Sequence, residues 1–177
     1  MTPRPPLAPL QGERVLLRPL EPADAPRLAA FTQDRDVRAA LGVDRPLRAD
    51  EEAALVQALP GARDEIALGV VALGSGRLVG VCGLHGLASG EPELGIFVGE
   101  PRDRGGGLGS EALRILLGHA FEELRLERIR LEVEAGNAAA LRVFGRAGFA
   151  PEPGGARGGR IAMALGRADW AGRARAT

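Results

Sequence analysis

Lysine and tyrosine are absent from this chain, cysteine and asparagine occur once each (Cys82 and Asn137), and the hydroxyl residues amount to three Ser and three Thr. Each shortage excludes something. The phosphate loop of nucleoside triphosphatases ends in Gly-Lys-Ser/Thr, and a chain with no Lys cannot build it. A single cysteine forms no intramolecular disulfide and cannot alone hold a metal, so we expect no metal and a reducing, cytoplasmic location. Net charge is missing too: 23 basic residues, all Arg, balance 23 acidic ones. Proteins that bind nucleic acid carry a basic excess, so no nucleic-acid partner is expected. Long apolar runs are also lacking. Arg77 interrupts the longest, and the opening MTPRPPLAPL holds no apolar core of signal-peptide length. No membrane partner is expected.

What is present suits one globular unit. The 177 residues are enough for one well-buried core and too few for two ordinary domains. The 26 Gly and 13 Pro fall between apolar periodic stretches, where turns belong. We read residues 1–10 as a flexible Pro-rich arm, 11–170 as the folded domain and 171–177 as a flexible tail. Strands are expected over 14–20, 66–73, 77–84, 93–98 and 128–133, with a last one over 160–165 after a Gly-rich turn at 153–159. In the fifth, Ile129, Leu131 and Val133 alternate with Arg130 and Glu132. Helices are expected from about Asp24 to Phe31, over 51–59, after residue 109, and over 138–147. In the third helix, Leu113, Leu116, Leu117, Ala120 and Leu124 fall on one face. Asn137 precedes the last helix and Gly148 is placed to end it. The order β-α-α-β-β-β-α-β-α-β is that of an α/β (α+β) domain, a mixed sheet with helices packed on it.

The informative segment is PRDRGGGLGSEAL, residues 101–113. Gly105, Gly106, Gly107 and Gly109 remove side chains where a strand hands over to a helix. Backbone N–H groups there can converge on an anion, with the helix dipole behind them and Arg104 beside them. A diphosphate suits that arrangement best. The competing reading is a plain surface turn capping a helix. A dinucleotide pattern also occurs at Gly107, Gly109 and Ala112, but residues 101–104 intervene where strand, turn and helix should follow directly.

The run Arg104-Gly105-Gly106-Gly107-Leu108-Gly109 resembles the acetyl-CoA signature R/Q-x-x-G-x-G/A of the GNAT acetyltransferase superfamily. GERVLLRPL at 12–20, ELGIFV at 93–98 and NAAALRVFGRAGF at 137–149 resemble its RimJ/RimL-like branch, as do Met163 and the ending at 167–170. The resemblance implies a single-domain GNAT-like fold whose central sheet splays between its fourth and fifth strands (93–98 and 128–133). Acyl-CoA would enter there, with backbone groups of Phe97 and Val98 on the pantetheine arm and one N–H polarising the thioester carbonyl. Arg104, Gly105, Gly106, Gly107, Leu108, Gly109 and Ser110 would hold the pyrophosphate. The opening helices, particularly residues 32–41, would form one wall of the acceptor pocket. The implied activity is transfer of an acetyl group from acetyl-CoA, the cosubstrate, directly to a primary amine on a protein N-terminus or a small molecule. The alternative is a non-catalytic acyl-CoA-binding or regulatory module. A homodimer is compatible with these letters, which do not fix the oligomeric state.

Individual residues carry competing readings. Asn137 is a good helix N-cap, and the resemblance adds a contact to pantetheine or to an ordered water. Glu93 is the candidate general base, since a protonated amine must lose a proton before it attacks; its alternative is a surface charge. Glu132 and Glu134 are weaker alternatives. Phe144 stands where the family often has a Tyr acid, and is expected to pack against the coenzyme. Arg146 could reach the coenzyme's terminal phosphate. Cys82 and His85 read as core, and His119 as solvent-facing.

Overall fold

The computed structural model describes residues 7–174. Eight strands form one sheet: β1 (Leu10–Gln11), β2 (Val15–Pro19), β3 (Glu65–Ala72), β4 (Arg77–His85), β5 (Glu93–Val98), β6 (Arg128–Glu134), β7 (Ala150–Arg157) and β8 (Arg160–Gly166). Their spatial order is β1-β2-β3-β4-β5-β6-β8-β7. Neighbours run antiparallel except β5 and β6, which are parallel.

Between β2 and β3 lie three helices, α1 (Ala25–Phe31), α2 (Arg35–Leu41) and α3 (Ala49–Ala58). They cover one face of the sheet, where Leu28, Phe31, Val37 and Val56 pack on Val71 and Leu78. On the other face lie α4 (Leu108–Gly118) and α5 (Ala138–Ala147). Leu113, Leu116, Leu117 and Ala120 are buried there as their spacing predicts, against Leu17, Leu68, Cys82 and Leu94. Ile129, Leu131 and Val133 of β6 are buried and the residues alternating with them are exposed. Burial of this periodic apolar surface holds both layers to the sheet.

Local signals explain the helix ends. Asp34 caps α2, its Oδ1 accepting from Asp36 N at 2.8 Å, and Gly42 ends it at φ 67°. Asn137 Oδ1 accepts from Ala140 N at 3.0 Å, and Gly148 closes α5 at φ 110°. Only a residue without Cβ takes such angles without strain.

The helix expected within 32–41 forms as α2, because Asp34 supplies its cap. Three expectations need correction. Much of the expected turn at 153–159 belongs to β7, an edge strand whose register is irregular between Pro151 and Ala156. An edge position tolerates the missing N–H of Pro and the missing side chains of Gly. The flexible tail is shorter than expected, since α6 (Arg167–Ala174) continues through residues 171–174. Trp170 anchors it by stacking on Phe121 at 5.9 Å. The arm is also shorter: Leu7 packs on the core and Leu10 pairs with Leu17. Residues 1–6 and 175–177, the rest of the arm and tail, lie outside the described residues.

Candidate active site

The parallel strands β5 and β6 meet at one end and part. Their registered pair is Glu93 with Arg130, beside an Arg130 N to Pro92 O bond of 3.0 Å. From Leu94 onward β5 has no ladder to β6, so the sheet is open along one edge of β5. Which groups face the opening follows from the other edge. Gly99 N donates to Val79 O at 2.8 Å, and the register pairs Phe97 with Val81. Backbone groups alternate in direction along a strand. Phe97 and Gly95 therefore turn theirs to β4, and Leu94, Ile96 and Val98 turn theirs to the gap. The Phe97 backbone, expected at the opening, is paired with β4 instead. Its side chain packs edge-on to Phe31, with ring centroids 6.0 Å apart.

At the far end of β5 the glycine loop leads into α4. Gly105 and Gly107 have φ of 77° and 86°, and Gly107 is the helix N-cap, with no side chain capping it. No acceptor among the described residues takes up the backbone N–H groups of residues 105–110; the first satisfied one is Glu111 N on Gly107 O at 3.0 Å. Unpaired N–H groups at a helix N-terminus are a ready anion site.

The cation beside that loop is not the expected one. Arg104 turns inward: its Nε donates to Val98 O at 2.9 Å and its Nη2 to Gly99 O at 3.1 Å, with Asp34 also 3.1 Å away. It braces the end of β5 against the start of α2. Burial pushes the Asp34 carboxyl up, but the Val37 N–H, the Arg104 charge and the Asp36 N–H outweigh it and hold it below the usual range. The guanidinium alongside the loop belongs to Arg14, just before β2. A Cβ placed on Gly107 would lie 3.3 Å from its Nη1, and one on Gly106 3.9 Å from its Nη2. Arg14 was legible only as part of an opening strand, because its approach to the loop comes from tertiary folding. Arg146 is exposed on α5.

A cleft of about 140 Å³ follows the β5–β6 opening. It brings together Glu93, Asn137 and Phe144, three residues singled out from sequence, with Glu132 and Glu134 at its edge. His85 also opens onto it and is exposed, which corrects the expectation of a core histidine. As the last residue of β4 it faces Glu93 across the ladder, Nε2 to Oε2 3.7 Å. The register of the hairpin was the signal that would have found it. Phe144 is buried and meets Phe149 edge-on at 5.9 Å, so one side of its ring forms wall and the other core. His119 is half-buried where solvent exposure was expected. Cys82 is buried on the α4 side, and burial pushes its thiol up to about 12, which leaves it inert.

These features define an acetyltransferase of the GNAT type. Residues 14–150 match the family model of the acetyltransferase (GNAT) domain, and the chain belongs to that family. A probable N-acetyltransferase of Bacillus subtilis, YjcK, is 28% identical over 160 residues, covering 81% of this chain and 84% of that protein. The crystal structure of a probable acetyltransferase superposes with a TM-score of 0.78 at 26% identity, covering 92% of this chain and 99% of that one. Spermidine N-acetyltransferase from Vibrio cholerae, solved with CoA and spermine, gives a TM-score of 0.79. At 19% identity, over 90% of this chain and 99% of that one, it speaks for the fold.

Proposed function

We propose that this chain transfers an acetyl group from acetyl-CoA directly to a primary amine, as the RimJ/RimL-like branch does. The observation that carries this is continuity: the unpaired N–H groups of residues 105–110 adjoin the free β5 edge, which leads to Glu93. The pyrophosphate is assigned to those N–H groups with Arg14 beside them, and Arg104 holds the loop in place. The pantetheine arm is assigned to the backbone of Ile96 and Val98, with the Asn137 amide and the Phe144 ring opposite. An N–H on that edge stabilises the oxyanion as the amine nitrogen bonds to the acetyl carbon. The carbon–sulfur bond then breaks and the sulfur leaves as thiolate. Glu93, directly or through water, takes the proton the amine gives up. Alignment of the two partners supplies much of the rate, and no covalent enzyme intermediate is needed.

Thermal unfolding and thiol release test this together. At acetyl-CoA about 100-fold above its dissociation constant, stability should rise by about 2.7 kcal/mol, and NAD(P) should have little effect. Thiol release should then depend on an added amine. Stabilisation without release across amine classes would favour the non-catalytic acyl-CoA-binding reading.

A further inference from the structure

The face of the sheet that carries Glu93 is built of cross-strand rows. Glu65, His85 and Glu93 form one; Ala67, Gly83 and Gly95 form the next; Gly69, Val81 and Phe97 form the one beyond. The middle row holds nothing larger than a methyl group, so a bare strip of backbone separates Glu93 from Val81 and Phe97. Over Ala67, Val81 and Phe97 opens a cavity of about 350 Å³, walled by α1, α3, the end of α2 and the segment after it. That is the size of a small-molecule pocket. Leu41 and Leu55 line it and stand 43% and 55% exposed, an apolar rim with no covering partner among the described residues.

Its charges are of one sign. Glu52 and Glu65 line the cavity, and no Arg does among the described residues. Glu52 is 8% exposed, and its carboxylate has no hydrogen-bond or ion-pair partner among them. Burial and the neighbouring Glu51 charge push its pKa up, as a lone carboxyl in apolar surroundings requires.

Resting on the acetyl-transfer reading above, we propose that the acceptor is a primary amine carried on an uncharged apolar body, alkyl or aralkyl. The body fills the cavity between Leu55, Val56 and Phe97, and the amine lies over Gly83 and Gly95 toward Glu93. Apolar walls reward an apolar body. A carboxylate on that body would meet acids and no arginine, and would be stranded without a partner. A polyamine would bring several ammonium groups to a wall that offers few carboxylates.

Hexylamine, ε-aminocaproate and spermidine, each with acetyl-CoA, separate these classes by kcat/KM. Hexylamine should lead both others by at least about tenfold. The second arm is Gly95→Val. A Cβ there meets nothing within 4 Å, so the variant should fold, and its side chain would fill the bare strip. We expect the KM for hexylamine to rise at least about tenfold with acetyl-CoA affinity unchanged. Equal rates, preference for the amino acid or the polyamine, or an unaltered KM in Gly95→Val would overturn the proposal. Failure of every amine to release thiol would count against acetyl transfer itself. Calorimetric titration of hexylamine into CoA-saturated protein then decides this inference: binding lost in Gly95→Val sustains it, and no binding to the parent protein overturns it.

Discussion

His85 and Glu93 face each other across the β4–β5 ladder with Nε2 and Oε2 3.7 Å apart, at the point where β5 leaves β6. The pair stands at the inner end of the gap, with the Glu93 side chain 46% exposed. Water can therefore reach the carboxylate and the histidine can orient it. Glu93→Gln should lower kcat by about 100-fold, in the range general bases contribute, and leave acetyl-CoA affinity unchanged. The residual activity should climb with pH, as more acceptor loses its proton unaided. His85→Ala should cost less, and His85→Gln, which keeps a hydrogen-bonding group, should recover most of that loss. Rates measured from neutral to alkaline pH check this; unchanged turnover in Glu93→Gln would return the residue to a surface charge.

The arginines near the glycine loop divide their work, and substitution should separate them. Arg104→Ala removes donors from Val98 O and Gly99 O and leaves Asp34 without its cation. It should lower stability by about 1–3 kcal/mol. Arg14→Ala removes an exposed guanidinium beside Gly107 and should leave the melting temperature nearly unchanged. It should weaken acetyl-CoA binding about tenfold, the loss of one charge-assisted contact, and less at high salt. Calorimetry at two salt concentrations, with melting curves, decides between this division and the reverse.

Much of the fold was legible because it rests on short-range patterns. The helical stripe of α4, the alternation of β6, the Asn137 cap and the Gly148 terminator each depend on residues within a few positions. The loop and the gap were legible through the resemblance. Contacts between distant segments were not. Nothing in the letters around Arg14 says that it reaches Gly107, or that Arg104 is engaged by Asp34. The direction of the Phe97 backbone depends on register with β4, which sequence fixes only once the hairpin is paired. Glu52 shows the same limit: nothing in the letters of α3 marks it, rather than Glu51, as the acid that is buried.

Acid should destabilise the protein through the opening turn. Asp24 accepts from both terminal nitrogens of Arg18 at 2.8 Å and from Glu21 N at 2.9 Å. Burial pushes its carboxyl up, but the Arg18 hydrogen bonds, the Glu21 N–H and the Arg18 charge outweigh it, and the folded pKa lies below the ordinary value. A depressed pKa contributes stability that is fully present above the unfolded pKa, about 3.9, and is lost as pH falls through the folded one. Asp24→Asn should therefore cost about 1.5–3 kcal/mol at neutral pH, with the difference from the parent shrinking below about pH 4. Denaturant melts at several pH values measure it; a pH-independent difference would mean that the amide's lost packing, not the charge, sets the cost.

The remaining prediction concerns the proton that the leaving sulfur needs. Phe144 occupies the cleft wall where a tyrosine acid would stand, and a phenyl ring cannot donate. Cys82 cannot take over, since it is buried in the core and burial pushes its thiol up to about 12. Ser89 is held in its turn, donating to Gly86 O at 2.6 Å and accepting from Glu91 N at 3.1 Å. A thiol has a pKa of about 8.5, so thiolate is a competent leaving group near neutrality and water can protonate it afterwards. The rate should therefore rise with pH and then stay level until the protein unfolds. Phe144→Leu should mainly weaken coenzyme binding, through lost wall and lost contact with Phe149. Phe144→Tyr places a phenol in the cleft that would lose its proton near pH ~10. If the cleft then uses it as an acid, a falling alkaline limb should appear in that variant and not in the parent. A falling limb in the parent, with melting curves excluding unfolding, would show that a side chain already donates, and Ser110 at the start of α4 would be the residue to substitute first.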